Sequence, residues 1–427
     1  MKQEKDFVQS QAVTPTEKRS LPIWALFIAN VISYIGDVLM LLAIPWLVLQ
    51  TTGSPSKAGI TAFSSMLAVT ISAFFGSLLI DRVGYKRTSV LGDLASGIAV
   101  ILIPLSYHTI GLPFWQLQIL VFLAGLLQTP GSQARIALLP DLIKLSQMPA
   151  ERANSLYDGV RRVAGFFGAP IAGALIIFIG TSNLLWIDGA TFIISALLLG
   201  WALPATPPIK KEKKQGQYVL ELKEGLSFIR HTPLLLWTIL PIMITNALDQ
   251  GMIGVVQPTY ARQIFHNPVA LGSMVAASGG AAFVGTIIFA MIGHKLPRRM
   301  TLGTCFSLST ILRFLPLILG LPLPAILVAY IISGLMIGSI NPILSTVDQA
   351  VIPPELRARV YGASSAGVFL GMPFGGLIAG LLVDRIGLLI TLIIFGSIYL
   401  ASTVSLLVNP AMKAMDHLDK EPEIIQS

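Results

Sequence analysis

Gly76-Ser77-Leu78-Leu79-Ile80-Asp81-Arg82-Val83-Gly84-Tyr85-Lys86-Arg87-Thr88 is a short charged turn wedged between two long apolar runs. Glycine suits the reversal at Gly84 because it accepts positive φ without steric cost. Reading outward from this turn, apolar runs of the roughly twenty residues a bilayer demands lie near 22–48, 56–79, 88–107, 114–132, 157–179, 183–203, 234–257, 268–292, 301–320, 323–345, 360–382 and 386–408. The turn therefore joins the second and third of twelve predicted spans. On spacing alone it is a loop that keeps positive charge on one side of a membrane.

The composition agrees. A chain of 427 residues that is 54% hydrophobic and 12% charged departs from soluble domains, in which about a quarter of residues are charged. The net charge of +8 does not point to nucleic acid, because the basic residues fall in alternate loops rather than in one patch. The first twenty residues are polar and carry no apolar stretch with a cleavage site, so no signal peptide is expected. Cys305 is the single cysteine, which excludes an internal disulfide. A phosphate-binding loop and a His-Glu-x-x-His pattern are absent, and the five histidines are scattered. ATP hydrolysis, a catalytic metal and a cofactor are therefore not expected, and neither is an enzyme.

Placing both ends on one side of the membrane puts every Lys and Arg on that side except Lys57, Arg262, Arg385 and the intramembrane Arg313. The positive-inside rule makes that side cytoplasmic. Residues 1–20 are then a cytoplasmic tail, 21–203 a first six-span bundle, 204–232 a linker, 233–408 a second bundle and 409–427 a second cytoplasmic tail. Pro204, Pro207, Pro208 and the run Lys210-Lys211-Glu212-Lys213-Lys214 open the linker. Leu222, Leu226 and Ile229 then share one helical face, predicting an amphipathic helix at the membrane surface. The two bundles repeat: a shift of 212 residues lays Asp37 on Asp249, Lys86-Arg87 on Arg298-Arg299 and Pro130 on Pro342. A shift of 203 lays Gly168-Ala169-Pro170-Ile171-Ala172-Gly173 on Gly371-Met372-Pro373-Phe374-Gly375-Gly376.

Asp81-Arg82-x-Gly84-x-Lys86-Arg87 between the second and third spans resembles the signature loop of the major facilitator superfamily of secondary transporters. The family's glycine four residues before the aspartate is Ser77 here, with Gly76 one place earlier. Ala134-Arg135, Pro140-Asp141-Leu142, Ala153-Asn154-Ser155-Leu156, Asp188 with Thr191-Phe192, and Glu224-Gly225 are similar to the branch of macrolide, multidrug and some siderophore exporters. The resemblance implies an all-α membrane protein with twelve transmembrane helices in two pseudo-symmetric six-helix halves, its site between them near the midplane. It also implies that Asp81, Arg82, Gly84, Lys86 and Arg87 latch the two halves on the cytoplasmic side. No arginine lies between Phe114 and Pro130 in the fourth span, so a coupling mechanism built on an arginine there is not expected.

Asp37 and Asp249 each lie about fifteen residues into their spans, roughly 22 Å of rise. In the resembled fold those spans line the central cavity. A carboxylate in a low-dielectric site can bind a proton near neutral pH and release it when water enters, so both are candidates for proton coupling. The alternative is that they tie neighbouring helices together. Tyr34, Gln118, Gln128, Trp237, Asn246, Gln250 and Asn341 are the polar and aromatic residues available to line a cavity, although each type also serves as interhelical glue or interfacial anchor. Gly168, Pro170 and Gly173, with Gly371, Pro373 and Gly376, read as close-packing hinges. Asp188 and Arg313 are expected outside the cavity with structural partners, and Asp93 and Asp348 as interfacial ion pairs.

The function so implied is proton-coupled export of hydrophobic or amphipathic small molecules from a bacterial cytoplasm, by a multi-pass monomer in the lipid bilayer of the inner membrane. Export of one metabolite such as a siderophore, and a non-transporting receptor or scaffold, are the alternatives.

Overall fold

The computed structural model describes residues 20–204 and 217–417. The expectations for the N-terminal tail, the proline-lysine run of the linker and the end of the C-terminal tail lie outside the described residues. Helices α1 (Leu21–Thr52), α2 (Pro55–Val83), α3 (Tyr85–Thr109), α4 (Phe114–Ser146), α5 (Ala150–Ile179) and α6 (Thr181–Ala202) form the first half. Helix α7 (Gln217–His231) leads into α8 (Pro233–Phe265), α9 (Pro268–Ile292), α10 (Arg298–Ile318), α11 (Leu323–Val351), α12 (Arg357–Ile386) and α13 (Leu388–Val408). Nine of these are long and apolar enough to cross a membrane among the described residues. Large apolar side chains such as Phe178, Trp201 and Val408 point outward, an exposure costly in water and neutral against lipid tails.

Four helices depart from the sequence reading, two in their bounds and two in their regularity. Helix α4 continues fourteen residues past 132 to Ser146, through Pro130 and Pro140, and α5 begins at Ala150 rather than 157. The Ser-Gln-Ala-Arg stretch after Pro130 is polar enough to read as loop. It stays helical because Ser132 Oγ donates back to the Thr129 carbonyl at 2.9 Å and Arg135 turns inward to a partner described below. Helix α8 widens to an i→i+5 spacing at Met252–Val256 and Ala261–Phe265, a local expansion often found at functional sites. Helix α11 is interrupted at Gly338 and Ser339.

The internal repeat has a physical basis at the helix ends. Lys86 at the start of α3 donates to the Leu203 carbonyl just past α6, at 2.5 Å. Arg299 at the start of α10 donates to the Leu407 carbonyl at the end of α13, also at 2.5 Å. In each half a cation on the third helix thus satisfies an orphan carbonyl at the negative end of the sixth.

Small residues let the helices approach. A Cβ on Gly97 of α3 would sit 3.0 Å from the Gly189 carbonyl of α6. The main contacts between the halves are α2 against α12 and α5 against α9. There, a Cβ on Gly173 would fall 2.9 Å from the Pro268 carbonyl, and one on Gly376 2.7 Å from Ala62. Gly168 instead abuts Val38 of α1, and Gly371 has nothing closer than 4.0 Å. Pro373 is buried and Pro170 partly so.

Helix α7 does not turn all three predicted residues inward. Leu222 and Ile229 pack on Val360 and Ala363 of α12, Glu224 pairs with Arg359, and Gly225 lets the two backbones meet. Leu226 faces outward, 60% exposed, because Gly225 rather than Leu226 occupies the contact line.

Gly97→Val is expected to destabilise the protein by roughly 1–3 kcal/mol through overpacking. Gly362→Ala, where nothing lies within 4 Å, should be neutral or stabilising by up to about 1 kcal/mol. Thermal unfolding of the two variants in detergent checks the contrast.

Candidate functional site

The first half encloses a polar centre built on Arg135. This residue is 2% exposed and Asp93 of α3 is fully buried. Arg135 Nη1 donates to both Asp93 oxygens, at 2.7 and 2.5 Å, and Nη2 donates to Ser33 Oγ of α1 at 3.3 Å. Ser195 Oγ of α6 donates to Asp93 Oδ2 at 2.6 Å. One guanidinium therefore ties four helices, the geometry in which a buried charge pair is tolerated. Asp93 makes the ion pair expected of it, but buried inside the bundle rather than at a surface, and the stretch Phe114 to Pro130 holds no arginine, as read from the sequence, Arg135 lying beyond it.

Asp37 of α1 lies beside this centre and accepts a hydrogen bond from Gln128 of α4. It faces a cavity of about 280 Å³. Along α2 the wall is Ala58, Thr61, Ala62, Ser65, Met66 and Val69, a three-and-four spacing that marks one helical face. Gln128 completes it from α4, Phe192 from α6, and Gln250 and Gly254 from α8, Gly254 in its widened part. The lining is apolar with a few convergent amides, hydroxyls and one carboxyl, as expected of a small-molecule site.

Of the other cavity candidates, Gln118 sits behind the wall and donates to Thr61 Oγ1 at 2.7 Å. Tyr34 is partly buried beside Tyr157. Trp237 is 40% exposed, one turn into α8. Asn246 bonds back to the Ile242 carbonyl of its own helix at 2.8 Å, and Asn341 is exposed after the break in α11. None of these five is on the wall. Met66 and Thr61 were missed, yet the α2 periodicity of small and polar residues was the available signal.

Asp249, the repeat mate of Asp37, is held differently. Arg313 of α10 pairs with it, and Tyr399 Oη of α13 donates to Oδ2 at 3.3 Å. Asp249 thus ties α8 to α10 and α13, the alternative reading given for it, and Arg313, expected to have a structural partner that the sequence did not name, finds it in Asp249. Asp348 makes no ion pair among the described residues, unlike its expected role. Asp188 is fully buried with neither oxygen hydrogen-bonded. It packs so closely on α1 that a Cβ at Gly36 would be 2.5 Å from its Oδ1.

At the Asp81 loop, Gly84 holds φ 89°, and Lys86 caps α6 as described. Arg82 and Arg87 are exposed. Asp81 makes no hydrogen bond or ion pair among the described residues.

The Major Facilitator Superfamily profile matches residues 26–246 and 239–423. The chain belongs to the major facilitator superfamily. Its members are generally transporters rather than enzymes, and this one is a multi-pass membrane protein. It is similar to "Multidrug efflux pump Tap" of Mycobacterium tuberculosis, 30% identical over 94% of this chain and 96% of that one. It is also similar to the pump of the same name from Mycolicibacterium fortuitum, 28% identical over 95% and 100%, and to "Macrolide efflux protein A" of Streptococcus pyogenes, 21% identical over 86% and 90%. Among solved structures, a mutant of the nucleoside transporter NupG matches with a TM-score of 0.76 at 14% identity, over 92% of this chain and 99% of that one. The superfamily fold thus accounts for the two repeated halves with a cavity at their junction.

Arg135→Ala is expected to cost about 3–5 kcal/mol, because it strands Asp93 as a buried unpaired charge. Replacing both, as in Arg135→Met with Asp93→Leu, should recover much of that loss. Unfolding midpoints of the single and double variants measure the difference.

Proposed function

We propose that this transporter exports hydrophobic or amphipathic small molecules of the multidrug and macrolide kind, by alternating access and in exchange for protons. Similarity to efflux pumps over nearly the whole chain supports the substrate class. The wall of the cavity supports it independently, since Met40, Met66, Ile44, Val69 and Phe192 offer polarisable and aromatic surface without a dense charge cluster. The basic loops face the cytoplasm in this reading, with both termini on that side, and one chain suffices.

The observation that carries proton coupling is the contrast between the two repeat-related aspartates. Asp249 is bound by a guanidinium, so its charge is already answered. Asp37 is on the cavity wall and takes its hydrogen bond from a neutral amide. A proton there changes the charge of the cavity directly, and a proton or solute shifts a conformational equilibrium only by preferring one state. Asp81, Arg82 and Arg87 then close the cytoplasmic face in the alternate state, with Asp81 against the N-terminus of α12.

Asp37→Asn keeps size and hydrogen bonding while removing titration. In proteoliposomes with an imposed pH gradient, uphill efflux of a lipophilic dye or a macrolide should fall at least about a hundredfold. Binding and downhill exchange should persist. Uphill efflux at the wild-type rate in this variant would refute the coupling.

A further inference from the structure

The signature turn occurs twice in this chain, at opposite ends of the molecule. Leu78-Leu79-Ile80-Asp81-Arg82-Val83-Gly84 ends α2, and Leu381-Leu382-Val383-Asp384-Arg385-Ile386-Gly387 ends α12. The backbones agree as well: Gly84 has φ 89° and ψ 156°, Gly387 has φ 88° and ψ 163°, and each is followed at once by the next helix. The turn itself does not call for an aspartate. Between α5 and α6, Gly180 adopts φ 81° and ψ 158°, and the residue three places before it is Ile177. Asp384 therefore needs another reason.

Its contacts supply one. Helices α2 and α12 come from different halves and run antiparallel, so the C-terminal end of α12 lies at the N-terminus of α2. Asp384 Oδ2 accepts from Ser54 Oγ at 2.8 Å and from the Ser56 backbone N–H at 2.9 Å. A carboxylate of one half thus caps a helix of the other, where the macrodipole favours negative charge. Ser56 Oγ donates in return to the Gly380 carbonyl at 3.2 Å. Backbones touch here, since a Cβ on Gly380 would lie 2.6 Å from the Pro55 carbonyl. Further along, Phe63 meets Phe374 edge to face at 5.6 Å, and Thr70 Oγ1 donates to the Phe369 carbonyl at 2.9 Å. Beyond Thr70, no hydrogen bond, ion pair or ring contact joins α2 to α12 among the described residues. Among the described residues the bonds between the pair thus gather toward the Asp384 end.

We propose that Asp384 is a positioning residue for transport: a second latch, made from a repeat of the first, that holds the face opposite the Asp81 loop shut while that loop is disengaged. The two latches sit on the two ends of one antiparallel helix pair. A rigid-body rocking of the halves that seats Asp81 at the start of α12 withdraws Asp384 from the start of α2. Each latch biases one of two states, so their balance sets which face is open.

Distance measurements between spin labels on the full chain, in lipid nanodiscs without substrate or gradient, test this separately from the export reading. In a Cys305→Ser background, labels at Ile110 and Leu319 report the Asp384 face, and labels at Lys144 and Glu355 the Asp81 face. Asp384→Ala and Ser54→Ala should each raise the population with a wide Ile110–Leu319 separation about tenfold, as loss of charge-assisted hydrogen bonds predicts, and should shorten the Lys144–Glu355 distance in parallel. Asp384→Glu should restore most of the wild-type distribution. Asp81→Asn should shift both pairs the opposite way, and Asp81→Asn with Asp384→Asn should return toward wild type. Two results would overturn the proposal: unchanged distances in both Ser54→Ala and the Asp384 variants, or widening of both faces together, the sign of a merely structural tie. Ser54→Ala leaves Asp384 in place and keeps the test available if Asp384→Ala does not fold.

Discussion

A guanidinium in a low-dielectric interior has to be answered on the spot, and Arg135 shows how much structure that requirement organises. Stripping a buried charge of its partner costs about 3–5 kcal/mol. Arg135 meets the requirement with both oxygens of Asp93 and with Ser33, while Ser195 satisfies Asp93 from the other side. Helices α1, α3, α4 and α6 are fixed in register by this cluster. It also explains why α4 remains helical through a polar, proline-flanked stretch: unwinding there would leave Asp93 stranded.

The second constraint is distance rather than charge. Lipid offers no hydrophobic driving force between helices, so association depends on close packing. Glycines at Gly59, Gly376 and Gly380 bring α2 and α12 to backbone contact, and Gly173 with Gly272 does the same for α5 and α9. Contacts of this kind are bistable: the surfaces fit in one register, and a side chain wedged between them forces them apart. The same two pairs form the main junction between the halves, so relative motion has to be paid for at these seams.

Much of this was legible in the sequence because it is carried by periodicity and charge asymmetry. The twelve apolar runs, the repeat at 212 residues and the signature turn all depend on residue type at a fixed spacing, which survives in one dimension. The cavity was half legible: Asp37, Gln128 and Gln250 stood out as polar residues in apolar runs, and they do meet. Trp237, Asn246 and Asn341 stood out equally and do not, since only the facing of each helix separates a wall from its back. Arg135 failed for another reason. A hydropathy window ends where charges begin, and whether a charge at that edge turns to water or inward depends on a partner forty-two residues away, just as the partner of Arg313, legible as an intramembrane charge, lies sixty-four residues away.

The asymmetry of the halves is the last step. Among the described side chains, the interior of the second half holds Asp249 and Arg313, which neutralise each other. The first half holds Asp37, Asp93 and Asp188 near a single Arg135. Asp93 takes that cation, and Asp37 and Asp188 are close enough for their charges to interact. The two repeat-related aspartates therefore sit in different charge surroundings. Duplication supplied two equivalent aspartates. Arg313, which has Ile101 at its repeat position, pairs with one of them, while the other lines the cavity.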